Sequence, residues 1–235
     1  PVENISKIRT ISIWIFIIPV VTINLCLFIS LNGHLLAHTI FQADPIGQSG
    51  FTIPYIDGGT SISRSARTYP AFLIFKPGMI ITAFLLIKYW IANNKLIKKI
   101  NNNDDRKNNI FLIFGVGSAI FLIIHSILLG VSYDIDLYKF MRRFVLLGFI
   151  IFEIVAQTLL VLNIIKVKDR IKDLINSKIL IIKAILVSVM IIVAILVSPI
   201  LNSSDYTHFK HALEWNYFLA IVSFYLLTYF FWKKR

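Results

Sequence analysis

Charge is scarce in this sequence, and acid is scarcer still. Of 235 residues 15% are charged, and 12 aspartates and glutamates face 24 lysines and arginines. A soluble domain carries about 25% charged residues, so an ordinary water-soluble fold is excluded. Cysteine is nearly absent. Cys26 alone, inside an apolar run, closes no internal disulfide and builds no thiolate metal site. There is no H-E-x-x-H or similar fixed metal signature, no internal repeat and no separate soluble domain.

What fills the chain is apolar: 57% of it is hydrophobic. The apolar residues come in six blocks, at about 10–32, 70–92, 110–132, 141–165, 178–200 and 214–232. Each is long enough to cross a ~30 Å hydrocarbon core at 1.5 Å per residue. The expected fold is an all-α, six-transmembrane-helix bundle forming a single domain over residues 1–235. The first block reads as a retained helix and not a signal peptide, because it exceeds the usual length and Leu31-Asn32-Gly33-His34 is a poor cleavage site.

The net charge of +12 does not point to nucleic acid. The basic residues fall in short clusters between apolar blocks, whereas a nucleic-acid binder gathers them on one water-exposed face. One cluster follows the second block (Lys95, Lys98, Lys99, Arg106, Lys107) and another the fourth (Lys166, Lys168, Arg170, Lys172, Lys178). A third ends the chain at Lys233-Lys234-Arg235. With six crossings these share a side with the N-terminus, and the positive-inside rule makes that side cytoplasmic. Anionic lipid is the natural partner of that charge. Lys88 and Lys183 lie near cytoplasmic helix ends, where they can snorkel. Trp14, Trp90, Trp215 and Trp232 read as an interfacial aromatic belt.

The outer side differs in character. Its first loop, 33–69, holds Pro45, Gly47, Gly50, Pro54, Gly58 and Gly59 and is expected to form a structured cap. All five histidines, His34, His38, His125, His208 and His211, map to this side, with Asp44, Asp57, Asp134, Asp136, Asp205 and Glu214. His34 and His38 would share a face on a helical turn, as would His208, His211 and Glu214. Imidazoles with a carboxylate suit zinc, with His34, His38, His208 and His211 as candidate ligands. Such an ion could activate water against a lipid ester or amide. The plainer reading is that short outer loops simply contain polar residues.

Glu153 lies deep in the fourth block with Gln157 one turn on. It is either a proton or ligand site, or a structural group bonded to His125 or Asn24. A transporter built on Glu153 and Gln157 would need a polar path onward to the cytoplasmic side, with Asn163 a further candidate. Arg142 and Arg143 open the fourth block against the charge bias, and Arg64 and Arg67 precede the second. Guanidinium groups there could fork onto phosphate; anchoring, or pairing with Asp134 and Asp136, is the plainer role. Asn202-Ser203-Ser204 is a formal glycosylation sequon close to the membrane, and 101–105 is a solvated connector.

Pro54-Tyr55-Ile56-Asp57-Gly58-Gly59-Thr60, then Tyr69-Pro70, and Glu214-Trp215 after His211 resemble motifs of the FRAG/DRAM/SFK superfamily. The serine usual before the acidic residue is missing, and Arg64 and Arg67 stand where relatives often carry prolines. The resemblance implies six helices and a lipid-facing role in plasma membrane or endomembranes. It carries Asp57, Glu214 and Trp215 over as motif residues. The expected function is thus to bind, remodel or regulate membrane lipids through an outward or lumenal polar cleft. That cleft would hold Asp57, His125, His211 and Glu214, with Arg64 and Arg67 at the rim and Glu153 and Trp215 as further ligand-binding candidates. The alternatives are an intramembrane metal-dependent lipid hydrolase and a non-catalytic subunit of a larger membrane complex with protein partners.

Overall fold

A computed structural model describes residues 2–42, 50–101, 109–130, 136–201 and 205–233. Asp44, Pro45, Gly47, the 102–105 connector, Arg106, Lys107, Asp134, the 202–204 sequon and the last two residues lie outside that set, as does the side chain of Asp136. The described chain is helical. Its helices are α1 (Val2–Leu31), α2 (Ile62–Arg67), α3 (Ala71–Asn101), α4 (Ile110–Leu128), α5 (Asp136–Ile171), α6 (Ser177–Leu201) and α7 (Thr207–Phe231), with a 3-10 turn at Gly33–Leu36.

Five helices, α1, α3, α4, α5 and α6, are long and apolar enough to cross a membrane, as a multi-pass integral membrane protein requires. They are apolar all round. On α1, Ile8, Ile15, Ile23 and Cys26 point inward, while Trp14, Val21, Leu25 and Phe28 are 43–55% exposed on the outer face. A helix with no polar face is not made for water. α7 is as long as α6 but falls outside this group of five, because Trp215, Asn216, Tyr217, Tyr225 and Tyr229 lower its mean hydropathy.

The long helices form a ring. α1 packs on α3, α3 on α4, α4 on α5, α5 on α6 and α6 on α7, which closes back on α1. Small residues let the backbones approach, as is usual where lipid gives no hydrophobic drive to association. A Cβ at Gly115 of α4 would collide with the Trp90 ring of α3, and one at Gly78 of α3 with Thr22 of α1.

The basic ends of the helices gather at one end of the ring. Arg9 of α1 donates to the Tyr229 carbonyl of α7 at 3.2 Å, with its guanidinium 4.8 Å over the Tyr229 ring. Asn176 and Lys233 exchange backbone bonds with Phe231 and Leu174, tying the α5–α6 turn to the end of α7. Arg170 donates to the Ile100 carbonyl at the end of α3. The 50–69 loop covers the opposite end, called the loop end below.

Three sequence expectations are corrected. Lys183 does not snorkel: it is fully buried, because it is turned inward against α7. Trp90, Trp215 and Trp232 are not a belt but buried core, and only Trp14 is half exposed. His34 and His38 share no helical face, because the 3-10 turn stops at Leu36 and His38 takes a left-handed φ of 63°.

Candidate functional site

The loop end is built by α7 reading the backbone of the 50–69 loop. One turn of α7 places His211, Glu214, Trp215 and Asn216 toward it. His211 Nδ1 donates to the Gly58 carbonyl at 3.0 Å, Trp215 Nε1 to the Thr60 carbonyl at 2.9 Å, and Asn216 Nδ2 to the Tyr55 carbonyl at 2.7 Å. The Glu214 carboxylate accepts the backbone N–H groups of Ile62 and Ser63 in the first turn of α2. Gly58 sits at φ 62°, and a Cβ there would strike the His208 carbonyl, so only glycine lets the loop lie this close to α7.

Asp57 holds the loop to itself. Its carboxylate accepts the Thr52 hydroxyl, the Gly59 N–H at 2.9 Å and the Ile53 N–H at 2.9 Å. The Thr52 bond, then those two amides, keep the Asp57 carboxyl below the usual carboxylate range. Burial, then the charges of His208 and Arg64, hold the His211 imidazole below its ordinary value despite the Gly58 bond.

Beneath this roof lies a cavity of about 650 Å³, within the range of ~300–1,000 Å³ typical of ligand sites. Every long helix contributes to its predominantly apolar wall. Four lining residues are themselves exposed: Leu147 and Ile151 of α5, and Ala194 and Ser198 of α6. The cavity therefore opens between the facing edges of α5 and α6, on the apolar flank of the bundle. His125 lines it from α4, only 5% exposed, and its Nδ1 has no hydrogen-bond partner. Lys210, His211 and Glu214 line it near the loop end, and Glu153 lies deeper.

Glu153 is fully buried and saturated. It accepts Ser118 Oγ at 2.6 Å, Gln157 Nε2 at 3.0 Å and the Tyr225 hydroxyl. Its expected partners His125 and Asn24 are not among these, because Asn24 turns to the Val20 carbonyl and Tyr55. Toward the basic end lies a second cluster: Lys183 Nζ donates to Thr228 Oγ1 at 2.7 Å and sits 3.8 Å over the Phe224 ring. The Tyr89 hydroxyl meets Thr228 at 3.2 Å. Tyr89 and Tyr225 touch edge to face, with centroids 4.9 Å apart. Ring edges, not a hydrogen bond, join the two clusters.

No family model, curated protein or solved structure matches this chain.

Of the candidates from sequence, the fold brings His125, Glu153, His211 and Glu214 around one cavity. Asp57 and Trp215 belong to the loop's internal bonding, and Arg64 and Arg67 lie on α2 above the cavity, outside its lining. A zinc site requires three ligands within reach of one ion, and among the described residues no three His, Cys, Asp or Glu side chains come together so. Sequence reasoning missed Ser118, Tyr225 and the Lys183–Thr228 pair. A lysine within an apolar block was the one signal available, and its orientation depends on α7.

Proposed function

We propose that this is a six-span membrane protein, both ends cytoplasmic, whose cavity takes up a membrane lipid from the bilayer. The carrying observation is where the cavity opens: between two apolar helix edges that a lipid chain meets directly, with the unpartnered Nδ1 of His125 at its wall. The sixth crossing is supported by α7 running from Gly58 at the loop end to Arg9 and Asn176 at the basic end. The basic clusters at that end make it the cytoplasmic one. A lipid-facing role in plasma membrane or endomembranes is also what the FRAG/DRAM/SFK-like motifs imply.

The test is equilibrium binding of a fluorescent-acyl phosphatidylcholine to the purified full chain in neutral detergent. Wild type binds saturably. Ala194→Trp, which plugs the opening from an exposed position, weakens binding about tenfold, roughly 1.4 kcal/mol. Equal binding by the two proteins would overturn the assignment.

A further inference from the structure

The turn at 53–58 does not rest on top of the bundle; it reaches down against α1 and α7. Asn24 of α1 donates through Nδ2 to the Tyr55 hydroxyl at 3.1 Å, and Asn216 of α7 to the Tyr55 carbonyl at 2.7 Å. Both asparagines lie along the outward margins of their helices. Val21, Leu25 and Phe28 are exposed beside the first, and Phe230 lies in line with the second.

The depth of that contact can be measured along either helix. Arg9 bonds Tyr229 at the basic end and sets a common level for α1 and α7, at the cytoplasmic edge of the hydrocarbon. At 1.5 Å per residue, Asn24 lies about 22 Å above Arg9, and Asn216 about 20 Å above Tyr229. The hydrocarbon core is about 30 Å thick, and helix tilt only shortens both climbs. Tyr55 therefore falls inside the far leaflet. From there the chain rises to Gly58, which His211 holds about 27 Å above the Tyr229 level, close to the outer boundary.

A segment outside the long helices is tolerated at that depth only where its backbone is bonded within the protein. The Asp57 and Gly58 N–H groups reach back four residues to the Ile53 and Pro54 carbonyls, as in a single helical turn. Ile56 N–H bonds the Ile53 carbonyl, and the Ile53 and Gly59 N–H groups bond the Asp57 carboxylate. Pro54 has no N–H to satisfy. The Tyr55, Gly58 and Thr60 carbonyls take side-chain donors from α7. Pro54 and Tyr55 pack inward, the Tyr55 ring 4.9 Å from that of Trp215, whereas Ile53 and Ile56 are 48% and 79% exposed.

We infer that residues 53–58 form a re-entrant segment that dips into the leaflet opposite the basic end and seats Ile53 and Ile56 among acyl chains. This rests on the six-span placement above, since only a crossing α7 carries Asn216 to that depth. The partner is lipid hydrocarbon. α2, which roofs the cavity through Ile62 and Ser63, follows a few residues later, so the roof is anchored in the leaflet that it borders.

The experiment places single cysteines in the full chain, labels them with a small fluorophore and reconstitutes each variant in phosphatidylcholine discs. Cys26 is fully buried, so wild type carried through the labelling is the blank. Iodide reports water, and phosphatidylcholine bearing a nitroxide on its acyl chain reports hydrocarbon. Ile53→Cys and Ile56→Cys should be quenched by the nitroxide lipid as strongly as Leu219→Cys, on the outward face of α7. Iodide should quench them several-fold less than Lys172→Cys, in the exposed turn before α6.

Iodide quenching at Ile56→Cys equal to that at Lys172→Cys would put the turn in water and overturn the inference. Protection from iodide without quenching by the nitroxide lipid would mean that protein, such as a second copy of this chain, covers the turn, and would overturn the lipid partner. Failure of the six-span placement reads differently: Leu219→Cys itself would be open to iodide and beyond reach of the nitroxide.

Discussion

The two flanks of α5 are made of similar apolar residues and end in different states. Toward α4, Phe152 lies over Gly117 and Phe121 over Gly148, and the Phe152 ring meets Phe114 at 5.0 Å and Phe121 at 5.1 Å. Toward α6, Leu147 and Ile151 face an opening, with Ala194 and Ser198 across it. Aromatic rings seated on glycine bring two backbones together, whereas branched aliphatic side chains facing a small residue leave space. Packing in this protein is decided helix pair by helix pair, and hydrophobicity alone does not close a gap when lipid is an equally good neighbour.

The largest loss is expected on the other face of α4, where a glycine likewise seats an aromatic ring of α3. Gly115→Val forces a branched side chain into the fully buried Trp90 ring, which Phe111 and Tyr225 back. The expected loss is about 3 kcal/mol, read as a shift in the unfolding midpoint on titration with denaturing detergent. A midpoint within error of wild type would mean that α3 and α4 are not in close contact. Next comes Glu153→Ala, which strips the Tyr225 hydroxyl of its buried acceptor and leaves Ser118 only the Gly115 carbonyl. It should cost about 2 kcal/mol by the same measurement, with Glu153→Gln recovering part of it. An Ala variant as stable as wild type would show that water or lipid already serves those hydroxyls.

The smallest effect is local and depends on pH. Asp57 and His211 both have folded pKa values below their unfolded ones, so the unfolded loop binds more protons and stability is lost as pH falls. The contribution of His211 is present above its ordinary 6.5 and is lost as pH falls through the lower folded value. That of Asp57 follows below the usual carboxylate range. Amide exchange, corrected for intrinsic rates, should therefore quicken across 52–60 in acid while the cores of α3 and α4 stay protected. Asp57→Asn should remove the more acidic step. Uniform exchange across all these segments would disprove the two-group origin.

Much of this architecture could be read directly from the sequence. The apolar blocks mark the long helices because a span must be continuous and satisfy its own backbone bonds. Their ends were harder to place. α3 runs on to Asn101 and α5 to Ile171, because polar and basic residues continue a helix into water without any change of hydropathy. α7 was legible from its length, but its tyrosines leave it less apolar than the other five. Of the site, a run of polar groups at three-residue spacing put His211, Glu214 and their neighbours on one face, and the fold uses that face to hold the loop. What could not be read was the cavity. Whether Ile151 buries itself or borders a void depends on where α6 lies, and nothing local to α5 encodes that. The partners of Glu153 were hidden for the same reason: Ser118 and Tyr225 come from two other helices.

The backbone bonds that join the α5–α6 turn to Phe231 and Lys233 make α6 a lever. Its fulcrum lies at Ser177, and Lys183, bonded to Thr228, sits close to it. Ser198 stands 21 residues along the arm, roughly 30 Å away at 1.5 Å per residue. A tilt of about 5° would therefore carry the far end roughly 3 Å while moving Lys183 by less than about 1 Å. The far edge of the α5–α6 aperture therefore shifts several times further than the buried lysine, so the width of the opening and the anchoring of the bundle fall to opposite ends of one helix.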